Sequence, residues 1–135
     1  MKQVNITLSN RKRGFHIITD EILNQLPDLP NVGLLHLFIK HTSAGICINE
    51  NADPTVLTDL NNWFDKNIKE NEPYYKHIFE GADDMPAHIK SVLVGCELTI
   101  PITNHQLNLG TWQGVYLAEF RNYGGNRKIV ATIIE

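Results

Sequence analysis

"GLLHLFIKHTSAGICINENADPTVLTDL", residues 33–60, decides the architecture. Leu34 to Ile39 is apolar at every position except His36, the pattern of a strand covered on both faces and therefore central in its sheet. "GICINE" (Gly45–Glu50) is a second strand, reached across a loop opened by His41, so two strand patterns follow one another with no helix between them. A doubly wound chain alternates single strands with helices, and that class is excluded. Asp53 then occupies an N-cap position and Pro54 the first position of a helix. Val56, Leu57, Leu60, Trp63, Phe64 and Ile68 recur at its spacing.

Toward the N-terminus, "KQVNITLS" alternates Val4, Ile6 and Leu8 with polar neighbours and reads as a half-buried strand. "GFHIIT" reads as a second strand, its hairpin partner across "NRKR". "TDEILNQLPDLP" reads as a helix capped by Thr19 or Asp20, with Ile22, Leu23 and Leu26 as its stripe and the prolines as its end. Toward the C-terminus, Asp83 or Asp84 caps a helix starting near Pro86, with Ile89, Val92 and Leu93 inward and Gly95 as its stop. "CELTIPI", "GTWQGVYLAEFR" and "KIVATIIE" read as strands, and "NYGGN" as a turn between the last two. The order ββα ββα α βββ predicts an α+β fold: a β-sandwich of mostly antiparallel strands with flanking helices, one domain over residues 1–135.

A chain of 135 residues builds a core without staples. Its 12 basic and 15 acidic side chains give a net charge of −3, with no basic stripe for nucleic acid or an anionic membrane. Cys47 and Cys96 form no C-x-x-C pair and read as small hydrophobes of a reduced compartment. No apolar leader and no bilayer-length apolar run is present, so the expected location is the cytoplasm.

The candidate chemistry gathers in four places. His41, Thr42 and Ser43 bring an imidazole and two hydroxyls to the end of a strand, where a self-bonded polar turn is the alternative reading. Glu50 and Asn51 leave a strand beside a helix N-terminus, which also describes an anion site, while Asp53 reads as the cap itself. His77, Asp83, Asp84 and His88 fill the segment before and into the third helix. His41, His77 and His88 together give a weak three-imidazole zinc signal with room for a water, although no local spacing ties them; each alone reads as a satisfied polar group. Trp112 and Gln113 stand between glycines, as a stacking face with a hydrogen-bonding amide or as a core tryptophan in a bulged strand. Arg127 is the best-placed cation for a phosphate, or a solvated charge on an edge strand. His16 and His36 read as strand residues and His105 as a turn residue.

"HTSAGICINENADPTVLTDL", "YYKHIFEGADDMPAHIKSVLVG" and "LGTWQGVYLAEFR", followed by Arg127, together resemble the YjbQ family, whose members often carry the label secondary thiamine-phosphate synthase. The resemblance runs nearly the whole chain. It implies an α+β sandwich assembled as a homotrimer, with sheets packed around the threefold axis. It also implies one pocket, at a subunit boundary, lined by His41, Thr42, Ser43, Asn51, Asp53, His77, Asp84, His88, Gly110, Trp112, Gln113 and Arg127. His105 stands where many relatives have glycine and falls outside that set. The implied reaction joins hydroxymethylpyrimidine diphosphate to a thiazole phosphate. It calls for a divalent metal, zinc or magnesium, with Arg127 or Lys90 on the leaving diphosphate and Trp112 as stacking surface. A metal-dependent hydrolase of a small phosphorylated metabolite is the alternative, with His41, His77 and His88 as ligands and Asp84 or Glu50 as general base. A non-catalytic trimer that binds such a metabolite is the third reading.

Overall fold

A computed structural model describes residues 1–135. The elements run β1 (Lys2–Leu8), β2 (Gly14–Ile17), α1 (Thr19–Leu23), β3 (Val32–Ile39), β4 (Ala44–Glu50), α2 (Pro54–Asn67), α3 (Asp84–Val94), β5 (Glu97–Thr103), β6 (Gln106–Leu107), β7 (Gln113–Glu119) and β8 (Arg127–Ile134). This is the expected α+β order with one short strand, β6, added.

Two sheets form, one ordered β1-β8-β3-β5-β6 and one ordered β2-β7-β4. Every pairing is antiparallel. β1 lies against β8, with Ile6 opposite Ile129, and β2 lies against β7, with Phe15 opposite Ala118. The hairpin expected between β1 and β2 therefore does not exist. The "NRKR" segment carries the chain from one sheet to the other, and Arg11, paired with Glu21, holds that crossing.

The main core lies between the sheets: Ile6 and Leu8 of β1, Leu35, Leu37 and Ile39 of β3, Ile100 and Ile102 of β5, and Ile129, Ala131 and Ile133 of β8 meet Ile46, Val115 and Leu117. Burial of each large apolar side chain is worth about 1.5–3 kcal/mol. A smaller core lies on the other face of the three-stranded sheet. There Phe15, Tyr116, Ala118 and Phe120 pack with Leu57, Leu60 and Phe64 of α2. The rings of Phe15, Phe64 and Phe120 sit 5.6–6.0 Å apart.

The strand covered on both faces is therefore β7, not β3. Alternate residues of β3 face away from the core, leaving Leu34 and Phe38 41% and 42% exposed. On that outer face Phe38 lies beside Val130, and Leu34 lies between Pro101 and Ile134, with the polar row of His36, Thr99 and Thr132 between them.

Asp53 caps α2 as expected, its Oδ1 accepting the Thr55 N–H at 2.9 Å. α1 is shorter than its apolar stripe suggested. Its cap position falls on Ile18, and Thr19 Oγ1 instead accepts the Val115 N–H at 2.9 Å. α3 is rotated from expectation. Asp84, Pro86, Ala87 and Lys90 are its buried residues, while Val92 and Leu93 are exposed. Small and paired polar groups let α3 lie close on β4, with Ser91 Oγ donating to the Ala44 carbonyl at 2.9 Å and Lys90 Nζ to Asp65 of α2 at 2.6 Å. No helix is long and apolar enough to cross a membrane.

One ion pair fastens the two sheets together. Arg127 of β8 donates to Glu119 of β7 at 2.7 Å through Nε and at 2.5 Å through Nη2, and to Ser43 Oγ at 3.0 Å. All three residues are buried. β8 lies between β1 and β3, so Arg127 is no edge-strand charge, and it is not free to hold a phosphate. In the β7–β8 crossover a Cβ on Gly124 would overlap the Glu119 carboxylate, so the fit is closed to any side chain. Cys47, half-buried against the smaller core, has its thiol pushed up to about 11 by burial. Cys96 is exposed.

Removing one member of a buried pair strands the other's charge, at a cost of about 3–5 kcal/mol. Glu119→Ala is expected to lose stability on that scale in urea denaturation. A loss under about 1 kcal/mol, the range of an exposed pair, would show that the pair does not fasten the sheets.

Candidate functional site

The segment that enters α3 builds the site. Gly81 turns the chain at φ +108°, and a Cβ there would meet Asp83 Oδ1 at 2.9 Å. Asp83 makes no side-chain cap. Its Oδ2 instead accepts Arg121 Nε and the Asn122 N–H, both at 2.9 Å. Asp84, 2% exposed, pairs through Oδ1 with Arg121 Nη1. Arg121, just beyond β7, is completed by the Glu80 carbonyl at 2.9 Å. One guanidinium thus holds both aspartates and the loop before them.

Asp84 Oδ2 meets two imidazoles: His77 Nε2 at 2.7 Å and His88 Nε2 at 3.1 Å. His88 follows Asp84 by one helical turn, which sets them on one face of α3. His77 arrives from the connection between α2 and α3, its ring centroid 5.3 Å from that of His88. Burial alone would raise the Asp84 carboxyl. The hydrogen bond from His77 and the charges at His88 and Arg121 outweigh it and hold Asp84 below the usual carboxylate range.

The protonation of His88 is constrained from behind. Its Nδ1 lies 2.8 Å from the Thr42 carbonyl, which only accepts, so Nδ1 carries a hydrogen and donates it. In the neutral ring Nε2 is then a bare lone pair facing the Asp84 carboxylate oxygen. Two lone pairs at 3.1 Å call for a positive charge between them, either a proton or a metal ion. Imidazole with one nitrogen tied to a main-chain carbonyl and the other facing the centre is the usual support of a metal-binding histidine. The donor atoms of His77, Asp84 and His88 lie within 4.8 Å of one another. Tetrahedral zinc, with bonds of about 2.0–2.1 Å, asks for donor edges of about 3.3 Å and accepts this nitrogen and oxygen set with a position open.

The structure does not gather the expected three histidines: Asp84 lies with His77 and His88, and His41 stands outside that cluster. His41 follows β3 in the loop to β4 and turns toward β8, where its Nε2 accepts the Lys128 N–H at 2.8 Å. It still shares with His88 a cavity of about 320 Å³, whose wall includes Thr42, Ser91 and Cys96. A second cavity of about 320 Å³ opens on the His77 side, between Pro73, Tyr75 and Met85. Ser43 is buried on Arg127, so its hydroxyl is structural.

Glu50, Asn51, Trp112 and Gln113 lie at the other end of β4. The seven residues of that strand separate them from Ser43 by about 20 Å. Asn51 N donates to the Trp112 carbonyl at 2.7 Å, Asn51 Nδ2 to the Gln113 carbonyl at 3.2 Å, and Gly110 N to Gln113 Oε1 at 2.7 Å. These bonds close a turn that leaves Trp112 64% exposed, neither in the core nor within a strand. Glu50 therefore cannot serve as base for the histidines of its own chain, and the single pocket expected is split in two within one chain.

Arg121 and Glu119 are the residues that local reading missed. Both lie inside "LAEFR", yet the partners of the Arg121 side chain are 37 residues or more away, and Arg127, which closes on Glu119, is 8 residues away across a crossover.

The sign of the Asp84 shift fixes an acid limb. A carboxyl held low in the folded state adds stability above the unfolded value of about 3.9, and that stability is lost as pH falls through the folded value. Asp84→Asn is expected to lower the urea midpoint at neutral pH and to flatten its decline below about pH 4. An unchanged acid limb in the variant would remove Asp84 as its source.

The pattern of the family described as UPF0047 protein YjbQ-like matches residues 4–135. The chain is 51% identical over 133 residues to the UPF0047 protein YjbQ of Escherichia coli O157:H7, covering 97% of this chain and 96% of that one. It is 53% identical, at the same coverage, to the UPF0047 protein YjbQ of Salmonella typhimurium. Among solved structures it superposes on a conserved hypothetical protein of Thermus thermophilus, TT1486, with a TM-score of 0.85 and 33% identity, over 97% of this chain and 99% of that one. On a YjbQ/UPF0047 protein of Clostridium acetobutylicum the TM-score is 0.81 with 36% identity, over 97% and 99% of the two chains. With sequence pattern and architecture agreeing over nearly its full length, the chain belongs to the YjbQ-like UPF0047 family.

Proposed function

We propose that the protein is a divalent-metal-dependent hydrolase of a small phosphorylated metabolite in the cytoplasm, with His77, Asp84 and His88 holding the ion. The observation that carries this reading is the fixed His88 ring, its Nδ1 hydrogen on the Thr42 carbonyl and its Nε2 turned to Asp84. An ion there, zinc by the character of the donors, would supply a Lewis-acid centre that polarises a substrate oxygen and eases the loss of a proton from water. Asp84 divides its two oxygens: Arg121 keeps one occupied and the carboxylate ionised, and the other is presented to the rings. Arg121 donates to Asp83, Asp84 and the Glu80 carbonyl and so orients the centre.

The transfer between hydroxymethylpyrimidine diphosphate and thiazole phosphate receives less support from a single chain. Lys90 is buried on Asp65 and Arg127 on Glu119, so neither is available to a leaving diphosphate. Trp112 lies at the far end of β4. Assembly is what favours keeping this reaction as the second reading. The outer face of the five-stranded sheet presents Leu34, Phe38 and Ile134, each 40–42% exposed. Exposed apolar side chains grouped on a sheet face mark an interface. Covered by further copies in a homotrimer, it would give the Trp112 end of one copy a route to the histidines of the next.

Metal-free protein titrated with zinc is expected to bind one ion per chain, and His77→Ala and His88→Ala each to weaken binding by more than about 100-fold, the upper range for losing a mere supporting partner. Zinc-dependent cleavage of small phosphate esters is expected to vanish with it; wild-type affinity in both variants would sink the centre. Phe38→Asp, which places a charge on the outer sheet face, is expected to convert trimer to monomer in light scattering, and a wild-type that is itself monomeric would refute the assembly.

A further inference from the structure

His41 is the histidine that the His77–Asp84–His88 cluster leaves over, and its hydrogen bonding limits what it can do. The Lys128 N–H donates to its Nε2 at 2.8 Å. Nε2 is therefore the unprotonated nitrogen, and in the neutral ring the hydrogen sits on Nδ1. Lys128 is not free to release the contact. Its carbonyl accepts the Lys40 N–H at 3.0 Å, and its neighbour Arg127 is locked on Glu119 and Ser43. A hydrogen on Nε2 would set two N–H groups face to face.

With its lone pair occupied, the ring is neither a metal ligand nor a base toward anything in the cavity it lines. What remains is the Nδ1 hydrogen. No protein group pairs with it, and no buried side-chain polar atom lacks a partner, so this N–H opens to solvent. The charged groups nearest the ring are Arg127 and Lys128 of β8, Lys40 at the end of β3, and Glu119 of β7, which is closed on Arg127. Burial first, then Arg127 and the two lysines against Glu119, keep the ring from taking a second proton. A neutral donor in a cationic surround, on a cavity of about 320 Å³ shared with His88, is built to meet an anionic oxygen.

We propose that His41 is a fixed neutral hydrogen-bond donor, through Nδ1–H, to a phosphate oxygen of the ligand seated in the cavity beside His88. The placement of that ligand rests on the metal-centre reading; the donor state of the ring does not. The plainer alternative is that His41 only satisfies the Lys128 N–H at the end of the ladder.

Two isosteric variants separate these roles. In His41→Gln the side-chain oxygen replaces Nε2 and keeps the Lys128 contact, while the donor at Nδ1 is gone. In His41→Asn the amide N–H replaces Nδ1 and the Lys128 contact is lost. The probe is inorganic phosphate, titrated into zinc-loaded and into metal-free protein, with acetate as the control oxyanion. Expected are phosphate binding weakened about tenfold or more in His41→Gln, the loss of one hydrogen bond to a charged group, binding kept in His41→Asn, and zinc affinity unchanged in both. Nitrogen shifts of the metal-free wild type should report the Nδ1–H tautomer of His41 at neutral pH. Phosphate affinity unaltered in His41→Gln, acetate bound as tightly as phosphate, or the Nε2–H tautomer would each overturn the proposal. So would zinc affinity falling in His41→Gln as far as in His88→Ala. Failure of the wild type to bind zinc would sink the metal centre instead, while the tautomer and the metal-free phosphate titration would still decide the role of His41.

Discussion

The buried pairing of Arg127 with Glu119 is the constraint from which the site hangs. It joins β8 of one sheet to β7 of the other, and Arg127 also takes Ser43 at the head of β4. Ser43 thereby fixes the loop between β3 and β4. The Thr42 carbonyl in that loop sets the hydrogen of His88, and His41 in the same loop is set by the neighbouring Lys128 N–H. A charge pair this deep is costly to build and tolerable only because each hydrogen and lone pair finds a partner. No buried side-chain polar atom is left without one.

A second charged group, Arg121, does for the helix side what Arg127 does for the loop side. Its guanidinium gathers Asp83, Asp84 and the Glu80 carbonyl, so the N-terminus of α3 and the connection that brings His77 are held relative to β7. Two arginines, each paired with carboxylates, bring histidines from separate stretches of chain to one locality. The cationic residues that a sequence reader would assign to a phosphate are the ones holding the scaffold.

What was legible in the sequence was local. Asp53 and Pro54 announced α2 because a cap and a first-turn proline are decided by adjacent residues. Strand alternation in β1 was visible because the side-chain period is fixed by the backbone. Asp84 and His88 lie four apart, and their shared face follows from helix geometry. Nonlocal choices were not legible. β1 finds β8 at the other end of the chain, not its neighbour β2, since sheet partners are set by the joint core. α3 turns Ala87 and Lys90 inward and Val92 and Leu93 outward, because buried Lys90 is paired with Asp65 and hydrophobicity alone does not see a partner. His41 stands at an element edge in the sequence, as His77 and His88 do, and only the Lys128 N–H reveals that its lone pair is taken.

Gly124 lends the crossover a wider meaning. The obstacle to a side chain there is the carboxylate of Glu119, not the backbone angle. Any replacement displaces the acid that neutralises Arg127, and through Ser43 and the Thr42 carbonyl it is felt at His88. A side chain at position 124 would thus have to be matched by a smaller group at 119, so an interior charge sets what the surface turn can hold.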